Sequence, residues 1–226
     1  MAFNITATTT FTVTSTSILN LELGENSAID NAANCGMLGG GGVDGAISHA
    51  GGLRLYQERE ALPILQTPDN DEVRCFEGSA VITGNKNEIY EGLGCSHVIH
   101  AVGPMYFNHT LSDGDSLLAT AYRTSLQLAD VNSIVNVAFS LISAGVFRGE
   151  RTLREVLKIG ISTVADYFQD TSTSKIRNVM FCGFTDIELS TLEELAEETF
   201  TSEKVTETVV NSPVPSKLSI ENFSRV

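Results

Sequence analysis

The chain has 226 residues, is 42% hydrophobic and carries a formal net charge of −14. That length suits one well-packed domain, and with no run of about 18 apolar residues no membrane-spanning helix is expected. A field of this sign disfavours nucleic acid, and it also repels a free nucleotide, so any bound phosphate must be held by local backbone N–H groups and not by a cationic surface.

In chain order, residues 1–10 read as an N-terminal extension, and the alternation at Phe11 and Val13 predicts an edge strand. Ser27–Asp30 reads as a short buried strand running into Asn31-Ala-Ala-Asn34. A helix is expected from Val43 to His49, continuing past Gly51-Gly52 through Leu53–Leu62, with Pro63 and Pro68 breaking the pattern into a loop. Ala80–Ile82 and His97–Val102 read as strands, the second stopped by Gly103-Pro104. Apolar positions at helical spacing mark Leu117–Ala129 and a long helix carrying Leu153, Val156, Leu157, Val164 and Phe168. Between them, Ile134–Leu141 is a near-continuous apolar strand, and Val179–Cys182 is the last one. Ser190-Thr-Leu-Glu193 has the form of a capping box opening an acidic helix. From about Ser202 the chain turns polar, and residues 201–226 are expected to be a disordered tail. Strands alternating with helices predict an α/β fold, a three-layer α/β/α sandwich with a mostly parallel mixed sheet, over residues 11–200.

Four cysteines (Cys35, Cys75, Cys95, Cys182) form no CxxC pair and have no His at metal spacing. Reduced, partly buried thiols are the expectation, with neither a metal nor a cofactor. The first Lys or Arg is Arg54, which speaks against a secretory signal and for a cytosolic or nuclear protein.

Gly39-Gly-Gly-Gly-Val-Asp-Gly45 is the segment that bears on function. Gly40 to Gly45 satisfies GxGxxG, but the turn after Asn31–Asn34 is too long and too polar for a dinucleotide crossing, and no GKS or GKT completes a Walker loop. Four consecutive glycines let the backbone approach a diphosphate closely, and the amides of a helix N-terminus beyond them can point at the anion. A flexible surface loop is the alternative.

Asn31-Ala-Ala-Asn34 followed by Leu38–Ile47 resembles the first ligand loop of macro domains of the MacroD-like branch. Val98–Pro104 is similar to that family's strand-and-turn motif, and Leu141-Ile-Ser-Ala-Gly-Val-Phe147 to its second phosphate loop. The likeness covers roughly residues 11–200. It implies a cleft for ADP-ribose, either free or attached to protein, and hydrolysis of mono-ADP-ribosyl esters on Asp or Glu or of O-acetyl-ADP-ribose. Asn34 matches the family's Asn at the distal ribose, and Asp44 the acidic residue assigned a catalytic role. Gly41, Gly42 and Val43 match the loop around the diphosphate, and Ser143, Ala144, Gly145 and Val146 the amides opposite. Phe147 matches the aromatic beside the distal ribose, and Phe184 the ring stacked on adenine, with Thr185-Asp186 ending that wall. A monomer is expected. The attack passes through a cationic, oxocarbenium-like state, which a carboxylate at Asp44 would stabilise. Read without the family, Asp44 is equally a helix-start residue, and Asn34 a loop-capping amide.

Three departures stand out. The family's adenine-recognising Asp is replaced by Ser17, before Ile18, which can still bond the base but without charge assistance. The His after Ala-Ile is Ser48, and His49, about 100 degrees further round the helix, does not replace it. Arg148-Gly149 follows Phe147 where the family has Gly-Tyr; a solvated loop Arg is the plain reading. His100 is expected to pack in the core with a satisfied ring nitrogen, and Glu193, Glu194, Glu197 and Glu198 to form a solvated helix face. A non-catalytic module that only binds ADP-ribose is the alternative function.

Overall fold

A computed structural model describes residues 1–66 and 72–209 of the chain, with side chains described as far as Thr201. Strands β1 (Ala2–Asn4), β2 (Thr10–Thr14), β3 (Gly24–Ala32), β4 (Ser79–Gly84), β5 (Cys95–Val102), β6 (Asn136–Phe139) and β7 (Asn178–Cys182) form one sheet in the order β1-β2-β7-β6-β3-β5-β4. The apolar strands take its middle, as burial on both faces requires. All pairings from β2 through β7, β6 and β3 to β5 are parallel, and only the edge pairs β1/β2 and β4/β5 are antiparallel.

The helices α1 (Gly42–Glu60), α2 (Leu111–Val131), α3 (Leu153–Asp170) and α4 (Asp186–Val209) divide unequally. On one face α1 covers Ile29 and Val98 with Ile47 and Leu55. On the other, α2, α3 and α4 cover a larger core built on the rings of Phe11, Tyr122, Phe139 and Phe181. Those rings pack with centroids 5.1 Å (Phe11–Phe181), 5.3 Å (Phe139–Phe181) and 5.4 Å (Tyr122–Phe139) apart, within the range in which aromatic pairs attract. The α/β/α sandwich with a mixed, mostly parallel sheet is thus as expected.

Several local expectations change. β2 does not lie at the edge, because β1 pairs with it from Ala2↔Thr12 to Asn4↔Thr10. Residues 2–4 therefore belong to the sheet and are no extension, and Phe3 rests on Phe200 of α4. The fourth helix begins at Asp186, not at Ser190. Its capping box is Thr185 with Glu188: the Thr185 hydroxyl accepts the Glu188 amide and the Glu188 carboxylate accepts the Thr185 amide. Ser190 bonds back to the Ile187 carbonyl instead. Residues 201–209 are helical, and residues 210–226 lie outside the described ones. On the acidic face, Glu194 and Glu198 both pair with Arg154 of α3. The four thiols are free, and burial pushes Cys75 up to about 11 and Cys95 and Cys182 up to about 12.

Candidate functional site

Parallel strands leave their carboxyl ends on one side of the sheet, and the loops after β2, β3, β6 and β7 meet there. Open α/β sheets place their ligand crevice at this position. A cleft of about 510 Å³ opens between those loops. Its walls are Ser17, Ile18 and Leu19 after β2; Gly42, Val43 and Ala46 at the start of α1; Ser140, Leu141, Ala144 and Gly145 after β6; and Cys182, Gly183, Phe184 and Glu188 after β7. Among the described residues, the lining is mostly apolar and holds no Lys or Arg.

The polar capacity of the cleft comes from its backbone. Gly41 caps α1 without a side-chain hydrogen bond, so the first-turn amides of Gly42 and Val43 lack intrahelical acceptors. Gly42, which lines the cleft, adopts φ +59°, and a side chain built there would meet no protein atom within 4 Å. Across the opening, the loop after β6 turns sharply at Ser143 (φ 53°), and Gly145 opens a single 3-10 turn over Val146–Arg148. Among the described residues, the amides of Gly145 and Val146 donate to no protein group. Two sets of open N–H groups therefore flank one cleft, an arrangement that attracts an anion without a cationic side chain.

The sequence-derived residues separate into three groups. Ser17, Ile18, Gly42, Val43, Ala144, Gly145 and Phe184 share the cleft, with the Phe184 ring 89% exposed at its rim. Gly41, Val146 and Phe147 adjoin it in the same loops; Val146 is exposed, and Phe147 stands edge-on to Phe107 with ring centroids 6.4 Å apart. Ser143, Asn34 and Asp44 turn their side chains elsewhere. The Ser143 hydroxyl donates to the Pro104 carbonyl at 2.9 Å. The Asn34 carboxamide caps its own loop, accepting from the amides of Gly36 (3.1 Å) and Met37 (3.2 Å) and donating to the Gly39 carbonyl at 2.5 Å.

Asp44 is the most confined of them, at 3% exposure. Its Oδ1 receives the Asn31 amide at 2.7 Å and lies 2.9 Å from Nη2 of Arg59, which is itself 2% exposed. Its Oδ2 is buried without a hydrogen-bond partner and lies under the glycine loop: a β-carbon on Gly40 would fall 2.5 Å from it and 3.2 Å from Asn34 Nδ2. The Asn31 amide also reaches Nδ1 of His100 at 3.2 Å, which leaves that nitrogen as acceptor and turns Nε2–H toward the Thr83 hydroxyl at 2.9 Å. Burial, reinforced by the positive Arg59, holds His100 well below the usual imidazole range, so it stays neutral. His100 is thus a satisfied core residue, as expected, while His49 faces solvent.

Two features escaped the sequence reading. Glu188 enters the cleft beside Phe184, four residues further on, because it caps α4 from below. Arg59 joins Asp44 across a bend in α1, and its signal was present: Asp44, Ser48, Leu55 and Arg59 recur at helical spacing on a face that buries Ile47 and Leu55.

A family model described as Macro domain matches residues 31–155. Over 159 residues, the chain is 41% identical to a macro domain-containing protein of Caldanaerobacter subterraneus, covering 70% of this chain and 82% of that one. It is 38% identical over 160 residues to an O-acetyl-ADP-ribose deacetylase of Klebsiella pneumoniae, covering 71% and 82%. Among solved structures, the Oceanobacillus iheyensis macrodomain with ADP superposes with a TM-score of 0.72 at 29% identity, over 90% of this chain and 97% of that one. The Trypanosoma brucei macrodomain in complex with ADP-ribose does so with a TM-score of 0.64 at 26% identity, over 81% and 68%.

Proposed function

The chain belongs to the macro domain family, and we propose that it binds ADP-ribose in the cleft and hydrolyses ADP-ribosyl esters, on Asp or Glu side chains or in O-acetyl-ADP-ribose. The observation that carries the binding half is the pair of open amide sets, Gly42 and Val43 on one side and Gly145 and Val146 on the other, facing one largely apolar cleft. A diphosphate with about two negative charges fits between them without help from Lys or Arg. The adenine then lies against Ile18 and Phe184, and the distal ribose toward Phe147 and Asn34. The named activity of the Klebsiella relative supports the ester chemistry.

For hydrolysis, Asp44 supplies a carboxylate at the glycine-loop end, with Oδ2 free to accept a hydrogen bond. For a carboxylate ester at the anomeric carbon it acts by orienting water toward that carbon or by stabilising the cationic state there, the protein carboxylate leaving. For O-acetyl-ADP-ribose the oriented water adds to the acetyl carbonyl, and the acyl C–O bond breaks to give acetate and the ribose hydroxyl. In this structure Gly40 covers that oxygen, so the reaction requires the Gly39–Gly42 loop to shift when substrate enters.

The same covering favours a second reading, a binder without turnover: the Asn34 amide is spent on its loop and Asp44 is sealed. Calorimetry with ADP-ribose beside release of ADP-ribose from a Glu/Asp-modified protein separates the two. The informative variant is Asp44→Asn, because Asp44→Ala would leave Arg59 buried and unpaired at a cost of about 3–5 kcal/mol. Asp44→Asn is expected to keep binding and to release product at least about tenfold more slowly. Equal rates in wild type and Asp44→Asn would sink the catalytic assignment.

A further inference from the structure

We infer that Arg59 is the positioning residue for Asp44, acting directly on its carboxylate and through Ser48 on its backbone. This rests on the catalytic reading of Asp44 above. The two residues are fifteen positions apart in α1, which in a straight helix is about 22 Å, far beyond the reach of an arginine. They meet because the helix bends sharply at Gly52, whose φ of 62° and ψ of −155° only glycine adopts readily. The second half of α1 is thereby turned so that its last turn delivers a guanidinium to its first.

One fork then grips Asp44 twice. Nη2 lies 2.9 Å from Oδ1, and Nη1 donates at 2.6 Å to the Ser48 hydroxyl, which passes its own hydrogen to the Asp44 carbonyl at 2.7 Å. Asn31 closes the same oxygen from β3. Oδ1 thus takes the Asn31 hydrogen bond and the nearby Arg59 charge, and Oδ2 is left without a hydrogen-bond partner, set against Gly40 and Asn34. His100, a further titratable group on this side, is linked through Asn31.

A stability argument alone does not account for Arg59. A buried ion pair contributes little beyond what apolar residues of similar volume would, since both ions must be desolvated. What the pair does supply is a fixed side-chain direction at the residue that needs one. Ser48 is small enough to admit the guanidinium where the resembling family carries an imidazole, which gives the departure at that position a structural role.

The test is Arg59→Lys with Arg54→Lys as control, since Arg54 is a cation on the same helix that stacks on Tyr90 away from Asp44. Lysine keeps the charge but offers a point donor in place of the fork, so it cannot serve Asp44 and Ser48 together in one geometry. Assayed well below its melting midpoint, Arg59→Lys is expected to hold ADP-ribose within about threefold of wild type while kcat falls about 10–100-fold, the scale of a small misplacement of a reacting group. Arg54→Lys should match wild type in both. A purely structural Arg59 would lower stability and leave kcat of the folded fraction intact, and that result overturns the inference. Should Arg59→Lys fail to fold, Ser48→Ala decides: it keeps the ion pair, removes the backbone relay and should lower kcat with unchanged affinity. Turnover in wild type and equal turnover in the variants refutes Arg59 alone. Binding without turnover in wild type removes the hydrolase reading and the role assigned to Arg59 with it.

Discussion

Replacing Gly42 by valine tests where the diphosphate lies. The residue has φ +59°, and a side chain there meets no protein atom within 4 Å, so the fold has room for it. Two separate effects follow. A non-glycine residue in this left-handed region costs about 1–2 kcal/mol, which at about 2–4 °C per kcal/mol for a domain of this size lowers the melting midpoint by about 2–8 °C. The isopropyl group also stands in the cleft, between amide sets meant to close on the anion, and crowding of this kind costs about 1–3 kcal/mol. That converts to an affinity for ADP-ribose about 5–150-fold weaker, read by calorimetry on protein shown to be folded. Gly42→Ala shares the backbone strain but not the bulk, so it should lose similar stability and less affinity. Undiminished affinity in folded Gly42→Val would refute the placement of the diphosphate beside α1.

Two further outcomes follow from single residues. Asp30 is fully buried, and burial raises its carboxyl well above the ordinary range, with the Ser125 hydroxyl offsetting part of this. The folded chain therefore keeps a proton that the unfolded chain releases near pH 4, so this group's contribution falls as pH rises from about 4 toward the raised folded-state value. Asp30→Asn, which cannot ionise, should show a flatter decline in melting midpoint over that range, and parallel curves would refute the assignment. Phe184→Ala removes a ring that is 89% exposed, so stability should change by less than about 0.5 kcal/mol. Loss of base stacking should nevertheless weaken ADP-ribose binding by about 1–3 kcal/mol, and unchanged affinity in a titration would take the ring out of the adenine wall.

The sequence made some of this visible and hid the rest for physical reasons. Apolar runs such as Ile134–Leu141 revealed the central strands because burial on both faces leaves no other composition. The glycine loop was legible because four glycines are costly to order without a purpose. Short edge elements were not: Ala2–Asn4 is a strand only because β2 lies beside it, and three residues carry no period of their own. The fourth helix was entered late because two successive capping patterns compete, and Thr185 with Glu188 prevails. In the site, residues that line the cleft through their backbone were found, since loop order dictates them. The loop-capping direction of the Asn34 amide was one of its two readings, since its partners are local; the directions of the Asp44 and Ser143 side chains were not legible, because each is set by a partner distant in sequence or by the bend at Gly52.

The place of β2 in the sheet also governs how the protein comes into being. Its parallel partner is β7, joined from Thr10↔Asn178 onward, so the strand waits for one made 168 positions later. At about 5–20 residues per second, a ribosome leaves that edge unpaired for about 8–34 s. During this interval Phe11 and Val13, which end up fully buried, have neither β7 nor α4 to cover them. Phe11 and Val13 thus stay without their final cover until the last strand arrives.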